Sequence, residues 1–172
     1  RSKVTRFTGS GVFFNRVWCF RIRGSMFSEN GGDGISIRGA DGFILDNWMS
    51  LNEGAGYRTT GHSGNSALTF TGNRIEWNLN GGIILSNGSH FNLTGNYIDR
   101  CSPGIVIERT ADRAARPGKI VGNPGFTTII GNILYRSGKR RPDETPDRDD
   151  ADCHLVLERV RGVTVRGNTF VA

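Results

Sequence analysis

The chain has 172 residues, a formal net charge of +6, 25 Gly and 5 Pro. This is the length of one domain able to bury a core, and Gly at about twice its usual share with little Pro excludes a Pro-rich linker and suits tight turns between short strands. No apolar run reaches the roughly 18 residues of a membrane span, and the odd, low count of Cys19, Cys101 and Cys153 describes no disulfide framework.

In chain order, the first residues, Arg1-Ser2-Lys3-Val4-Thr5-Arg6, lead into no apolar signal core, so no targeting segment is expected. From about Val17 the chain repeats itself. The repeating segments are 20–27, 42–49, 68–75, 91–98, 127–134 and 163–170. Each carries Gly (Asp46 once) at 24, 46, 72, 95, 131 and 167, followed by Ser25, Asn47, Asn73, Asn96, Asn132 or Asn168. A second half-repeat lies between them, at Gly34-Ile35-Ser36-Ile37, Gly56-Tyr57-Arg58-Thr59, Gly82-Ile83-Ile84-Leu85, Gly104-Ile105-Val106-Ile107 and His154-Leu155-Val156-Leu157.

Apolar residues alternate with a period of two, which sends them into one core from one face of each strand. The expected inward columns are Ile22, Ile44, Phe70, Leu93, Ile129 and Val165; Phe27, Met49, Ile75, Ile98, Leu134 and Phe170; and Ile35, Tyr57, Ile83, Ile105 and Leu155. The Asn residues read as ladders whose amides hold the turns, with a shorter column at Asn30, Asn52 and Asn78 ending in Cys101, itself expected near Cys153. The pattern predicts an all-β fold, a single-stranded right-handed parallel β-helix of about six coils of about 22 residues. Residues 1–172 then form one domain, with insertions near 60–66, 110–124 and 139–152. The chain stops in mid-coil and begins without a capping helix, so the expectation is a fragment of a longer chain, or an end covered by another subunit.

These columns resemble the pectin-lyase-like right-handed parallel β-helix superfamily, the group containing pectate lyases, polygalacturonases, alginate epimerases and phage tailspikes. The resemblance implies a carbohydrate-active protein: a polysaccharide lyase, a glycoside hydrolase or an epimerase if it is an enzyme. Gly32-Asp33-Gly34-Ile35 is similar to the polygalacturonase stretch that holds a catalytic Asp, which makes Asp33 a catalytic candidate as well as a turn residue. Gly61-His62-Ser63-Gly64 is similar to their Gly-His-Gly element. Their paired Asp-Asp is absent; the matching turn reads Asn52-Glu53-Gly54-Ala55-Gly56.

The insertions concentrate at the corners of the Gly-Ile strands, where long loops in a tight repeat carry function. They are expected to wall a groove over the face carrying Ser36, Arg58, Ile84, Val106 and Val156, and Arg38, Thr60, Ser86, Glu108 and Glu158. Glu108 and Glu158 fall in one column of adjacent coils, about 4.8 Å apart along the stack. Such a carboxylate pair can share a proton and act as acid and nucleophile or base, or be neutralised by Arg109, Arg159 or Arg38. Glu76 and Asp99 form a second outward pair. Arg58, His62 and Arg38 are the candidates for holding an anionic sugar, since a guanidinium binds a carboxylate in bidentate fashion. No cofactor is expected, Ca²⁺ being the one cation that paired carboxylates leave open.

The expected partner is a polysaccharide, anionic in view of the basic charge, and the expected location is secreted or at the cell surface. Arg residues are scattered, the dense run Lys139-Arg140-Arg141 is followed by acidic residues, and no RNA-binding, zinc-finger or helix-turn-helix motif occurs, so neither nucleic acid nor a membrane is expected. The alternative is a non-catalytic structural or adhesive β-helix, because most outward columns are Thr, Ser, Arg and Asn. A third reading, a periplasmic β-helix of the copper-insertion type, finds no distinctive support: Met-rich and His-rich stretches are both missing.

Overall fold

The structure, a computed structural model, describes residues 1–59, 65–109, 125–137 and 153–172. Three parallel sheets wind around one core, the arrangement of a right-handed parallel β-helix. Sheet I stacks Lys3–Thr5, Met26–Ser28, Trp48–Ser50, Arg74–Glu76, Tyr97–Asp99, Ile133–Tyr135 and Thr169–Val171. Sheet II stacks Phe20–Arg23, Gly42–Leu45, Leu68–Thr71, Asn92–Thr94, Gly125–Ile130 and Arg161–Arg166, with the short strands Asn65–Ser66 and Gly88–Ser89 at its margin. Sheet III stacks Val12–Asn15, Ile35–Arg38, Tyr57–Thr59, Ile83–Ser86, Ile105–Glu108 and Leu155–Glu158.

The register matches the expected columns: Phe70 pairs with Ile44 and Leu93, Ile75 with Met49 and Ile98, Ile83 with Tyr57 and Ile105. All nine of these side chains are fully buried, each contributing about 1.5–3 kcal/mol on leaving water. Tyr57 packs its ring edge-on to Phe70 at 4.3 Å. Its hydroxyl is buried without a partner, and that burial pushes its pKa well above the usual phenol value. In the last coil the columns persist, but Val165 and Phe170 are exposed.

The stack begins earlier than the repeat suggests. Lys3–Thr5 and Val12–Asn15 pair with Met26–Ser28 and Ile35–Arg38, although this first turn lacks the Gly-Asn signature. Val12 and Phe14 still pack on the core, so the period of two survives where the turn chemistry does not.

Both Asn columns are ladders. Asn47 Nδ2 donates to Asn73 Oδ1, Asn73 to Asn96 (2.9 Å), Asn96 to Asn132 (2.9 Å) and Asn132 to Asn168 (2.9 Å). The second runs Asn30 to Asn52 (2.8 Å) and Asn52 to Asn78 (2.8 Å), and Asn78 then meets Cys101 Sγ. After Cys101 comes Ser137, the next buried residue against the Gly column, and not Cys153; both thiols are free and Cys153 is exposed. The Gly column exists because the coils touch there. A Cβ on Gly34 would lie 2.7 Å from the Gly56 carbonyl oxygen, and one on Gly56 would lie 2.6 Å from Ile75 Cγ2. Another column sits at the corner after sheet I, where Glu29, Leu51, Trp77, Arg100 and Arg136 all take left-handed φ between 49° and 57° without being Gly.

Candidate functional site

Outward residues come from the alternation of each strand, so every sheet offers two outward columns. On sheet III these are Phe13, Ser36, Arg58, Ile84, Val106 and Val156, and Asn15, Arg38, Ser86, Glu108 and Glu158. Ser36, Ile84, Ser86, Val106 and Glu108 are buried, and Ala55, Ile84, Val106 and Val156 form a second, smaller apolar cluster. The face expected to floor a groove is closed along those coils.

The sequence candidates on it are placed as follows. Glu108 and Glu158 are register partners in adjacent coils. Glu108 is buried and accepts a hydrogen bond from Ser86 Oγ at 2.9 Å, whereas the exposed Glu158 faces Arg159 at 3.6 Å. Asp33 is buried in its turn, where Oδ1 accepts from the Ala55 N–H (2.8 Å) and from Arg58 Nε (3.0 Å). Arg58 also donates to the Asn80 carbonyl, so it staples three coils. Arg38 is exposed. His62 and Thr60 lie outside the described residues, as do the insertions at 110–124 and 139–152. The structure thus joins Asp33 to Arg58 and aligns Glu108 with Glu158, but it does not bring the two pairs together.

Sheet I is different. Its outward columns are Met26, Trp48, Arg74, Tyr97 and Ile133, and Ser28, Ser50, Glu76, Asp99 and Tyr135. Glu76 is buried and held by Arg74 through two hydrogen bonds, 2.6 and 2.8 Å. That carboxylate raises the Arg74 pKa, first by the hydrogen bond and then by its charge. The same guanidinium lies 5.8 Å from the Trp48 ring and 5.4 Å from that of Tyr97. At the left-handed corner Arg100 covers Trp77 at 3.9 Å, and Arg136 covers Tyr135 at 4.1 Å. Arg136 also reaches Asp99 Oδ2 at 3.2 Å. The Tyr97 pKa is raised by desolvation and then by Asp99 and Glu76, as expected of a phenol among carboxylates. Beside Trp48 this face opens into a depression of about 820 Å³ lined by Arg1, Lys3, Arg23 and Asp46.

The sequence reading found the Glu76/Asp99 pair but not the cations and rings around it. The signal is positional: Trp48, Arg74 and Tyr97 each follow an Asn of the long ladder, and Trp77, Arg100 and Arg136 directly follow Glu76, Asp99 and Tyr135 of one outward column.

Fold and faces together define a parallel β-helix whose chemistry is laid out in outward ladders. The chain belongs to the family described as periplasmic copper-binding protein (NosD), whose model matches residues 1–142. No curated protein and no solved structure matches it. The family is a periplasmic one, consistent with the expected secreted or cell-surface location. The match corrects the ranking of the three readings, since the copper-associated family was the one without distinctive residue support. A β-helix family is written in its stacking columns, not in Met-rich or His-rich runs. Among the described residues no three His, Cys, Asp or Glu side chains gather into a metal-holding group, for Ca²⁺ or for any other ion.

Proposed function

We propose that this β-helix, as a pectin-lyase-like member of its family, binds an anionic polysaccharide along the outer face of sheet I and does not cleave it. The observation that carries the reading is the ladder in which Arg74, Arg100 and Arg136 lie against Trp48, Trp77, Tyr97 and Tyr135. The guanidinium N–H groups not spent on Glu76 and Asp99 can meet a carboxylate, and exposed ring surface accepts the apolar face of a sugar. Coils repeat every 4.8 Å or so, a step comparable to one sugar residue, so a polymer along the helix axis meets a ladder position in each coil. Cations outnumber carboxylates on this face once Arg1, Lys3 and Arg23 are included. Binding without cleavage is favoured because three of the candidate carboxylates are already engaged: Asp33 by Arg58, Glu108 by Ser86, Glu76 by Arg74.

Affinity electrophoresis in gels cast with polygalacturonate, alginate or a neutral glucan tests this. Retardation by the acidic polymers alone, weakening with salt, is the expected result. Release of reducing ends or of unsaturated products would defeat the non-cleaving part, and Glu108→Gln and Glu158→Gln would then report whether that pair is responsible.

The family's description motivates a second reading, copper binding. A copper centre draws on thiolate, thioether or imidazole ligands, and among the described residues no three His, Cys, Asp or Glu side chains gather to form one. The Cys101 thiol is buried in the Asn78 ladder and pushed up to about 12 by desolvation, which keeps it protonated. Met49 is fully buried in the core, and His90 stacks on Phe126 while its Nδ1 bonds Ser89.

A further inference from the structure

We infer that Asp99 and Arg136 form the subsite that grips a pair of unsubstituted sugar hydroxyls; this rests on the glycan-binding reading above. Two Arg–carboxylate pairs stand side by side on sheet I, and only one is complete. Arg74 meets Glu76 through both of its forked donors. Arg136 meets Asp99 through Nη2 alone, leaving Asp99 Oδ1 and Arg136 Nε both buried and both without a partner. A buried acceptor or donor left unpaired is costly, and finding one of each in the same pair is uncommon. The group that satisfies both is one that donates and accepts within a short span, which describes neighbouring hydroxyls on a sugar ring. One hydroxyl donates to Oδ1, and the oxygen of the next accepts from Nε–H.

Arg136 is the movable half. Its side chain is 24% exposed against 6% for Asp99, and it rests on the Tyr135 ring at a corner of the coil. Pivoting on that ring uncovers Oδ1 without disturbing the strand that carries Asp99. The site also selects against substituents. An acyl or sulfate ester removes the donor that Asp99 needs, and a carboxylate brought here meets the Asp99 charge. The acid group of each sugar therefore points toward Arg74 and Arg100, and its free hydroxyls toward Asp99.

The test is calorimetric titration of the full chain with polygalacturonate and with the same polymer after O-acetylation. The wild-type chain is expected to bind the acetylated polymer about tenfold more weakly, the loss of one hydrogen bond to a charged group. Asp99→Ala is expected to abolish that discrimination. Arg136→Lys keeps the charge but lacks the Nε donor, and is expected to lessen it while leaving the fold intact, so it decides the matter if Asp99→Ala does not fold. Binding with no preference between the two polymers, or full preference retained in Arg136→Lys, overturns the subsite and leaves the function standing. Binding of neither polymer by the wild-type chain removes the function and the subsite together.

Discussion

The outer faces of sheets I and III are built on the same coils with the same spacing, yet they have opposite characters. On sheet III the middle outward column is Ile84 and Val106, buried with Ala55 and Val156, while Arg58 and Asp33 are tied to each other. On sheet I the middle outward column is Trp48, Arg74 and Tyr97, with Trp48 44% exposed. Identical backbone periodicity therefore fixes where outward residues stand and says nothing of which face is open. The difference lies in the side chains: aliphatic residues bury whatever surface they can, whereas paired cations and rings stay at the boundary with water.

Four substitutions break or sharpen this contrast. The largest effect is expected from Val106→Asp, which puts an unpaired charge into the closed face and should destabilise the chain by about 4 kcal/mol or prevent folding, as read by urea denaturation. A cost below about 1 kcal/mol would mean that this face is open in solution. Next comes a crossed pair. Trp48→Ala should weaken polyuronate binding about tenfold with little change in stability, since the ring is exposed. Arg58→Ala should do the reverse, lowering stability by about 1–2 kcal/mol through the orphaned Asp33 while leaving affinity alone. Should Arg58→Ala be the variant that loses affinity, the ligand lies on sheet III. The smallest effect belongs to Glu158→Gln: with Glu158 exposed and 3.6 Å from Arg159, neither melting nor binding is expected to move measurably.

Much of the fold was legible because a β-helix writes its core as columns. Ile44, Phe70 and Leu93 could be stacked on paper, and the long Asn ladder ran as expected through Asn168. The first coil was not legible, because Phe7-Thr8-Gly9-Ser10-Gly11 replaces the usual turn and only Val12 and Phe14 keep the pattern. The candidate site was half legible. Glu76 and Asp99 follow from register alone. That Arg74 bonds Glu76 from the same strand, two residues away, depends on how a long side chain folds back, which no column shows. The closed state of sheet III was hidden for a related reason: Ile84 and Val106 looked like groove floor in the register, and only the packing with Ala55 reveals a second core.

The long Asn ladder has a consequence for how such a chain tolerates change. Asn73 and Asn96 are 23 residues apart and bond at 2.9 Å; Asn96 and Asn132 are 36 residues apart and bond at the same distance. The amide chain is blind to the length of polypeptide between its links. By loop-closure entropy alone the longer connection costs only about 0.4 kcal/mol more. The ladder acts as a spine that separates inheritance of the scaffold from variation of the loops. Segments inserted at the corners can be lengthened, exchanged or replaced while the coils on either side keep their alignment, so new surfaces can be tried on this solenoid without renegotiating its core.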